Sequence, residues 1–173
     1  MSAREVAPTG REVSFPEDEI IVSKTDATGR LTYVNDVFLA VSGYAESELL
    51  GKPHSIIRHP DMPRCVFKLL WETIASGKEI FAYVANLTKS GDHYWVLAHV
   101  TPNFDAAGNI VGYHSSRRKP RQAALDVVAP LYARLRAAER AGDRKSALAE
   151  SSLLLQRALA DAGLGYDEFV FSL

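Results

Sequence analysis

The residues best suited to chemistry in this 173-residue chain crowd into one short stretch, Arg58-His59-Pro60-Asp61. Arg58 offers a planar fork of donors that matches a phosphate through two bonds at once, and His59 can donate to a carbonyl or a phosphate. Asp61 can accept from a sugar hydroxyl or orient Arg58. The same residues also fit a surface Arg–Asp pair flanking a proline turn, and residue types alone leave both readings open. Trp71 adds a broad apolar face with one N–H donor, suited to packing on a flat ring or to filling a core. Asn86 stands among Val84, Ala85 and Leu87, where an inward polar side chain needs a partner or else bonds to the next turn. Asn35 has the position of a helix cap, with room for a second role beside a ligand.

Other chemistries find no footing. The five histidines lack paired metal-ligand spacing on one helix, no glycine-rich phosphate loop or nucleophile elbow occurs, and no catalytic constellation is visible. The single cysteine, Cys65, rules out an intrachain disulfide and a cysteine-rich metal centre, in keeping with a reducing compartment. Twenty Lys and Arg against 21 Asp and Glu give a formal charge of -1, which provides no footprint for a nucleic-acid backbone. No window approaches the 18 or so apolar residues of a membrane span, and the first residues lack a secretory leader. The expected location is the cytoplasm. A composition of 47% hydrophobic and 24% charged residues fits one globular core with a modest extension.

The elements that must position these residues follow from pattern. Residues before Phe15 lack apolar periodicity and are expected to form a flexible N-terminal arm over 1–15. Ile20 to Thr25 and Leu31 to Val34 read as a hairpin around Asp26-Ala27-Thr28-Gly29-Arg30. Asn35 caps a helix through Val41 that stops at Gly43, and a short helix covers Glu46 to Leu50. Pro60 and Pro63, following Pro53, make His54 to Pro63 a turn-rich connector. Arg64 to Ser76 is an amphipathic helix, with Val66, Phe67, Leu70, Trp71 and Ile74 on one face. Three hairpin-linked strands follow, at Ile80–Leu87, Tyr94–Phe104 and Ile110–Arg117. The fold class is α+β: a five-stranded antiparallel sheet with short helices on one face. Beyond Pro120 the composition turns to Ala, Leu and Arg, and Leu125, Val128, Tyr132 and Leu135 at 3-4-3 spacing open a C-terminal helical hairpin. That apolar face could dock on the sheet, pair with a second subunit, or both.

This element order resembles that of a PAS domain. Asp26-Ala27-Thr28-Gly29-Arg30-Leu31-Thr32-Tyr33-Val34-Asn35-Asp36 resembles the family's opening hairpin, and Val41-Ser42-Gly43-Tyr44 its turn after the first helix. Gly51 to Pro63, with Trp71 and Lys89-Ser90-Gly91-Asp92-His93-Tyr94-Trp95-Val96, resembles the aerotaxis-receptor branch in particular. The resemblance covers roughly Ile20 to Arg118, and Ala129-Pro130-Leu131-Tyr132 resembles the segment that follows the sensor there. It divides the chain into an arm (1–15), a PAS sensor domain (16–119) and a helical extension (120–173).

What the resemblance implies is FAD, held in a cleft by Arg58, His59 and Asp61, with Trp71, Asn86 and Asn35 as further contacts. The function implied is a soluble redox or oxygen sensor, related to energy taxis, that changes conformation with flavin redox state. It would act as a homodimer on a downstream chemotaxis or kinase component, and not as an enzyme. A cofactor-free PAS docking or dimerisation module is the alternative, and a haem-binding gas sensor another, with His114 as its best axial ligand. Cys65, in Pro63-Arg64-Cys65-Val66-Phe67, stands outside the motif of light-sensing domains that form a flavin–thiol adduct.

Overall fold

A computed structural model describes residues 6–173. Five strands form one antiparallel sheet: β1 (Ile21–Asp26), β2 (Leu31–Val34), β3 (Ile80–Leu87), β4 (His93–Phe104) and β5 (Ile110–Arg118). Their spatial order is β2-β1-β5-β4-β3, so the first hairpin joins the last strand at the centre of the sheet. Between β2 and β3 lie α1 (Asp36–Ser42), α2 (Glu46–Leu49), a 3-10 turn at His54–Ile57 and α3 (Arg64–Ala75). The chain ends in α4 (Gln122–Arg140), α5 (Arg144–Asp161) and α6 (Tyr166–Ser172). The expected α+β architecture, its five strands and its helical hairpin are all present; the seven-residue α6 is an addition that the sequence pattern did not announce.

Local chemistry accounts for the turns that matter. Asp26 Oδ1 accepts from Thr28 N, Thr28 Oγ1 and Arg30 N at 2.7–3.0 Å, and Gly29, at φ 82°, supplies the left-handed residue that closes the β1–β2 hairpin. Asn35 accepts from Phe38 N (3.1 Å) at the start of α1 and from Val22 N (2.9 Å), while its amide donates to Ile20 O (2.8 Å). One side chain thereby caps a helix and ties it to the sheet.

Alternation along the strands gives the sheet two distinct faces. Toward α3 point Ile21 and Ser23 of β1, Tyr113, Ser115 and Arg117 of β5, Tyr94, Val96, Ala98 and Val100 of β4, and Ile80, Ala82, Val84 and Asn86 of β3. The opposite face is covered by the C-terminal extension. Leu125, Val128, Tyr132 and Leu135 are all buried, and the Tyr132 hydroxyl donates to Tyr83 O across 2.7 Å. The 3-4-3 face of α4 is therefore consumed inside the chain, which leaves it unavailable to a second subunit. The N-terminal stretch, expected to be loose, is held along β4 over residues 9–15. Thr9 N donates to Gly91 O, His93 N to Arg11 O and Val13 N to His93 O, at 2.8–2.9 Å; Arg11 pairs with Asp92 at 2.7 Å, and Phe15 is buried. Residues 1–5 lie outside the described residues.

Candidate functional site

A cavity of about 260 Å³ opens between the inner face of the sheet and α3. Its floor is Ser23 and Thr25 of β1, Val84 and Asn86 of β3, Ala98 and Val100 of β4, and Tyr113, Ser115 and Arg117 of β5. Phe67, Leu70, Trp71 and Ile74 of α3 form one wall, and the β1–β2 turn (Thr28, Gly29) with the connector (Pro53, His54, Ser55, Arg58) forms the other. The space exists because the middle of the floor carries small side chains: Ala82 and Ala98 lie in register on β3 and β4, and Ser115 stands opposite Val100 in the next rung. Larger residues at Ala98 or Ser115 would fill it.

Trp71 stands at the mouth. It is 40% exposed, and its ring meets Tyr113 edge-on at 5.7 Å. A Cβ at Gly29 would fall 2.8 Å from Trp71 Cη2, so the hairpin turn approaches the indole as closely as glycine allows. Arg58 is half-buried and stacks on Phe67 at 3.9 Å. An isolated bridge joins it to Asn86, fastening the connector to the cavity floor.

The polar chemistry of the cavity centres on Arg117, only 2% exposed. Its Nη2 donates to Ser23 Oγ (2.5 Å) and to His54 Nε2 (2.6 Å), and its guanidinium lies 5.4 Å from the Phe38 ring. Among the described residues no carboxylate lies within 4.0 Å of it. Burial lowers its pKa to about 10, which still leaves it charged at neutral pH. Loss of water around His54, reinforced by the Arg117 charge, pushes that imidazole down to about 3, so it is neutral and accepts through Nε2. Five buried side-chain atoms lack a hydrogen-bond partner among the described residues, and four of them belong to the cavity face: Thr25 Oγ1, Asn86 Nδ2, Tyr94 Oη and Arg117 Nη1. Buried polar groups in folded proteins are nearly always satisfied, so such a concentration on one floor calls for a partner.

The residues expected to act together are divided by the fold. Arg58, Trp71 and Asn86 line this cavity, but His59 and Asp61 do not. These two line a second cavity of about 410 Å³ on the other side of the connector, with His93, Trp95 and the α4 residues Tyr132, Arg136 and Arg140. Asp61 pairs with Arg140 at 2.6 Å instead of orienting Arg58, and His59 Nδ1 accepts from Asp61 N. The reason is geometric: the chain turns just after Arg58, where Met62 N donates to His59 O (3.1 Å), and the turn carries His59 and Asp61 to the other side of the connector. All hydrogen-bonding atoms of the Asn35 amide are spent on the backbone, and Asn35 is absent from the cavity wall. His114 alternates with Tyr113 and Ser115 and so faces away from the cavity, which removes it as an axial ligand there. Cys65 is likewise outside the cavity, and burial raises its thiol pKa to about 11.

Sequence reasoning missed Arg117, His54, Ser23 and Tyr94. The signal for Arg117 was available: it shares strand parity with Tyr113 and Ser115 and so points inward, where an arginine is out of place. Glu139 was also missed. Its side chain is fully buried, and it accepts from Arg64 N and Cys65 N (2.9 Å each) and from Ser151 Oγ (2.9 Å), so that α4 caps the N-terminus of α3 and holds α5. Position 139 continues the 125, 128, 132, 135 spacing, and a carboxylate in that apolar seam marks a specific partner.

Comparison with known proteins agrees with this geometry. A family described as the PAS fold matches residues 31–117 of the 173. The aerotaxis receptor of Escherichia coli (strain K12) is 40% identical over 129 residues, 75% of this chain and 25% of that protein. The nitrogen fixation regulatory protein of Klebsiella pneumoniae is 25% identical over 99 residues, 57% of this chain and 20% of that protein. The chain thus spans a fifth to a quarter of the length of these relatives. The dark structure of the blue-light photoreceptor Aureochrome1 LOV superposes with a TM-score of 0.57 at 25% identity, covering 64% of this chain and 82% of that one. Among the described residues no helix is long and apolar enough to cross a membrane. By its matched residues and its strand order the chain belongs to the PAS family, and within that family it is similar to the aerotaxis receptor.

Proposed function

We propose that this chain is a sensor whose PAS domain, residues 16–119, holds FAD in the cavity between α3 and the sheet and responds to its redox state. The extension, residues 120–173, passes the response on. The observation that carries the reading is the set of four partnerless polar atoms on the cavity face. A flavin ring suits them, because its pyrimidine edge presents carbonyl oxygens and ring nitrogens to amide, hydroxyl and guanidinium donors. The apolar wall of Phe67, Leu70, Trp71 and Ile74 suits the rest of the ring. Small-molecule clefts run to about 300–1,000 Å³, so about 260 Å³ would take a fused ring and would leave a dinucleotide tail to pass out by Trp71. Arg58, on that path, is placed to meet a phosphate.

When bound, the cofactor supplies reversible acceptance of electrons; this chain supplies the contacts that feel the change. Asn86 and Tyr94 face each other across β3 and β4, and Asn86 is bridged to Arg58 of the connector. The connector runs into α3, whose first turn is held by Glu139 of α4. His59 and Asp61 have their place here as residues that seat the connector against α4, retaining the ligand indirectly. The reading is of a cytoplasmic signalling module rather than an enzyme. A homodimer would form through surfaces other than the covered face of α4, with a chemotaxis or kinase component downstream.

The absorbance spectrum of the purified protein tests the assignment. Flavin bands, present as isolated or after refolding with added FAD, are the expected result. A Soret band would favour haem, and a bare protein spectrum after refolding would leave a docking module as the better reading.

A further inference from the structure

We infer that Arg117 is the counter-charge of the bound ring: the cavity is built to take a planar ligand whose acceptor edge gains negative charge on reduction, and Arg117 sets its potential. This rests on the flavin reading above. A guanidinium only 2% exposed, with no carboxylate within 4.0 Å among the described residues and one nitrogen unbonded, is a costly arrangement for a protein to keep. Its two neutral contacts do not require it, because Ser23 Oγ and His54 Nε2 already lie 3.3 Å apart and can bond to each other. Nor can His54 share the positive charge, since it stays neutral. The carboxylates of the sensor domain that are paired, such as Asp92 and Glu48, bond to other cations away from the cavity. The charge is therefore left over for something that enters the cavity.

Position separates its role from that of Arg58. Arg58 lies half-buried in the connector, where a tail would pass; Arg117 rises from the central strand β5, in register with Ala98, on the cavity floor. Two of the unbonded groups of the cavity face, Asn86 Nδ2 and Arg117 Nη1, are donors that cannot accept, so a ligand edge that meets either of them must accept. Two electrons from a reductant such as dithionite, with one proton from water, leave the ring with one net negative charge. A fixed buried cation holds that form more tightly than the neutral oxidised one, which raises the midpoint potential.

The test compares the wild type with Arg117→Met and Arg117→Lys, each freed of ligand and then titrated with FAD. Three quantities are read: FAD affinity by fluorescence quenching, midpoint potential against reference dyes, and the melting temperature of the ligand-free protein. Arg117→Met is expected to melt no lower than the wild type without ligand, because an unpaired buried charge has gone. It is expected to lose at least tenfold in its preference for the reduced over the oxidised ring, a fall in midpoint of about 30 mV for a two-electron couple. Arg117→Lys restores part of that fall. A wild-type protein that takes no FAD overturns the flavin reading and this inference with it. If the wild type binds FAD but Arg117→Met matches its midpoint, this inference alone fails. A ligand-free Arg117→Met protein that unfolds more readily, or does not fold, makes Arg117 a structural residue and overturns it equally.

Discussion

At the scale of single residues, burial distinguishes side chains that hold the fold from those that hold a ligand. On the proposed flavin reading Trp71 falls in the second group: 40% of it is exposed, and its contacts are the Tyr113 ring and the Gly29 backbone at the mouth of the cavity. Truncating a fully buried Trp to Ala costs about 3–5 kcal/mol, and a side chain so exposed has much less to lose. Trp71→Ala is therefore expected to cost about 1 kcal/mol or little more in denaturant unfolding. It should nevertheless reduce flavin retention on gel filtration markedly. Full retention in that variant, or a core-sized loss of stability, would show that the indole serves packing alone. Trp71, Arg58 and Asn86 were legible in the sequence because each combines an unusual residue type with a readable neighbourhood. Arg117 and His54 were not picked out, since their significance lies in what surrounds them. Only the register of β5 against β4, and the return of the connector to the hairpin through His54 N to Gly29 O, brings them to one cavity.

At the scale of elements, the decisive contact is between helices far apart in sequence. The first turn of α3 leaves backbone N–H groups unpaired, and Pro63 at its N-cap has no side chain to satisfy them. Glu139 of α4 does so instead, with Arg64 at 3.5 Å and Arg136 at 3.6 Å balancing its charge. Burial pushes the Glu139 carboxyl upward, but the bonds from Arg64 N, Cys65 N and Ser151, with the Arg64 charge, outweigh it and leave the pKa below its ordinary value of 4.5. The folded state thus binds this proton less readily than the unfolded state. The stabilisation is complete above the unfolded value and is lost as pH falls below about 4.5, at no more than about 1.4 kcal/mol per pH unit. Glu139→Gln presents an NH2 where a second acceptor is needed, and should cost about 1–3 kcal/mol at pH 7. Thermal melts of both proteins between pH 7 and about pH 3, across the window in which the contribution is lost, check this; a variant whose stability falls as steeply with acid as the wild type's would place the titrating group elsewhere. The connector shows what residue pattern cannot supply. Pro53, Pro60 and Pro63 announced an irregular stretch, yet the division of Arg58 to one cavity and His59 and Asp61 to the other depends on the direction of each backbone step.

At the scale of the whole molecule, the sensor and its extension share one interior. The strand order and the hairpins could be read from period-two patterns and turn residues, because those signals are local. The fate of the α4 face could not, since an apolar stripe of Leu125, Val128, Tyr132 and Leu135 serves a sheet or a second subunit equally well. The sheet claims it: all four side chains are buried, Trp95 lies 6.0 Å from the Tyr132 ring, and α6 adds Phe171 against Phe81 at 4.8 Å and Val170 O to the Tyr83 hydroxyl. Each large apolar side chain fully buried in this way contributes about 1.5–3 kcal/mol relative to exposure. Removing the extension withdraws four of them from water-excluded positions and bares Tyr83, Ala85 and Trp95 on the sheet together. Residues 16–119 and 120–173 are accordingly expected to unfold in one cooperative transition, with calorimetric and van't Hoff enthalpies equal. A chain ended at Arg118 should associate or precipitate through the bared sheet face. Two resolved transitions in the full chain, or a shortened chain that stays monomeric with unchanged melting, would mean that the extension is an appendage to the sensor and not part of its core.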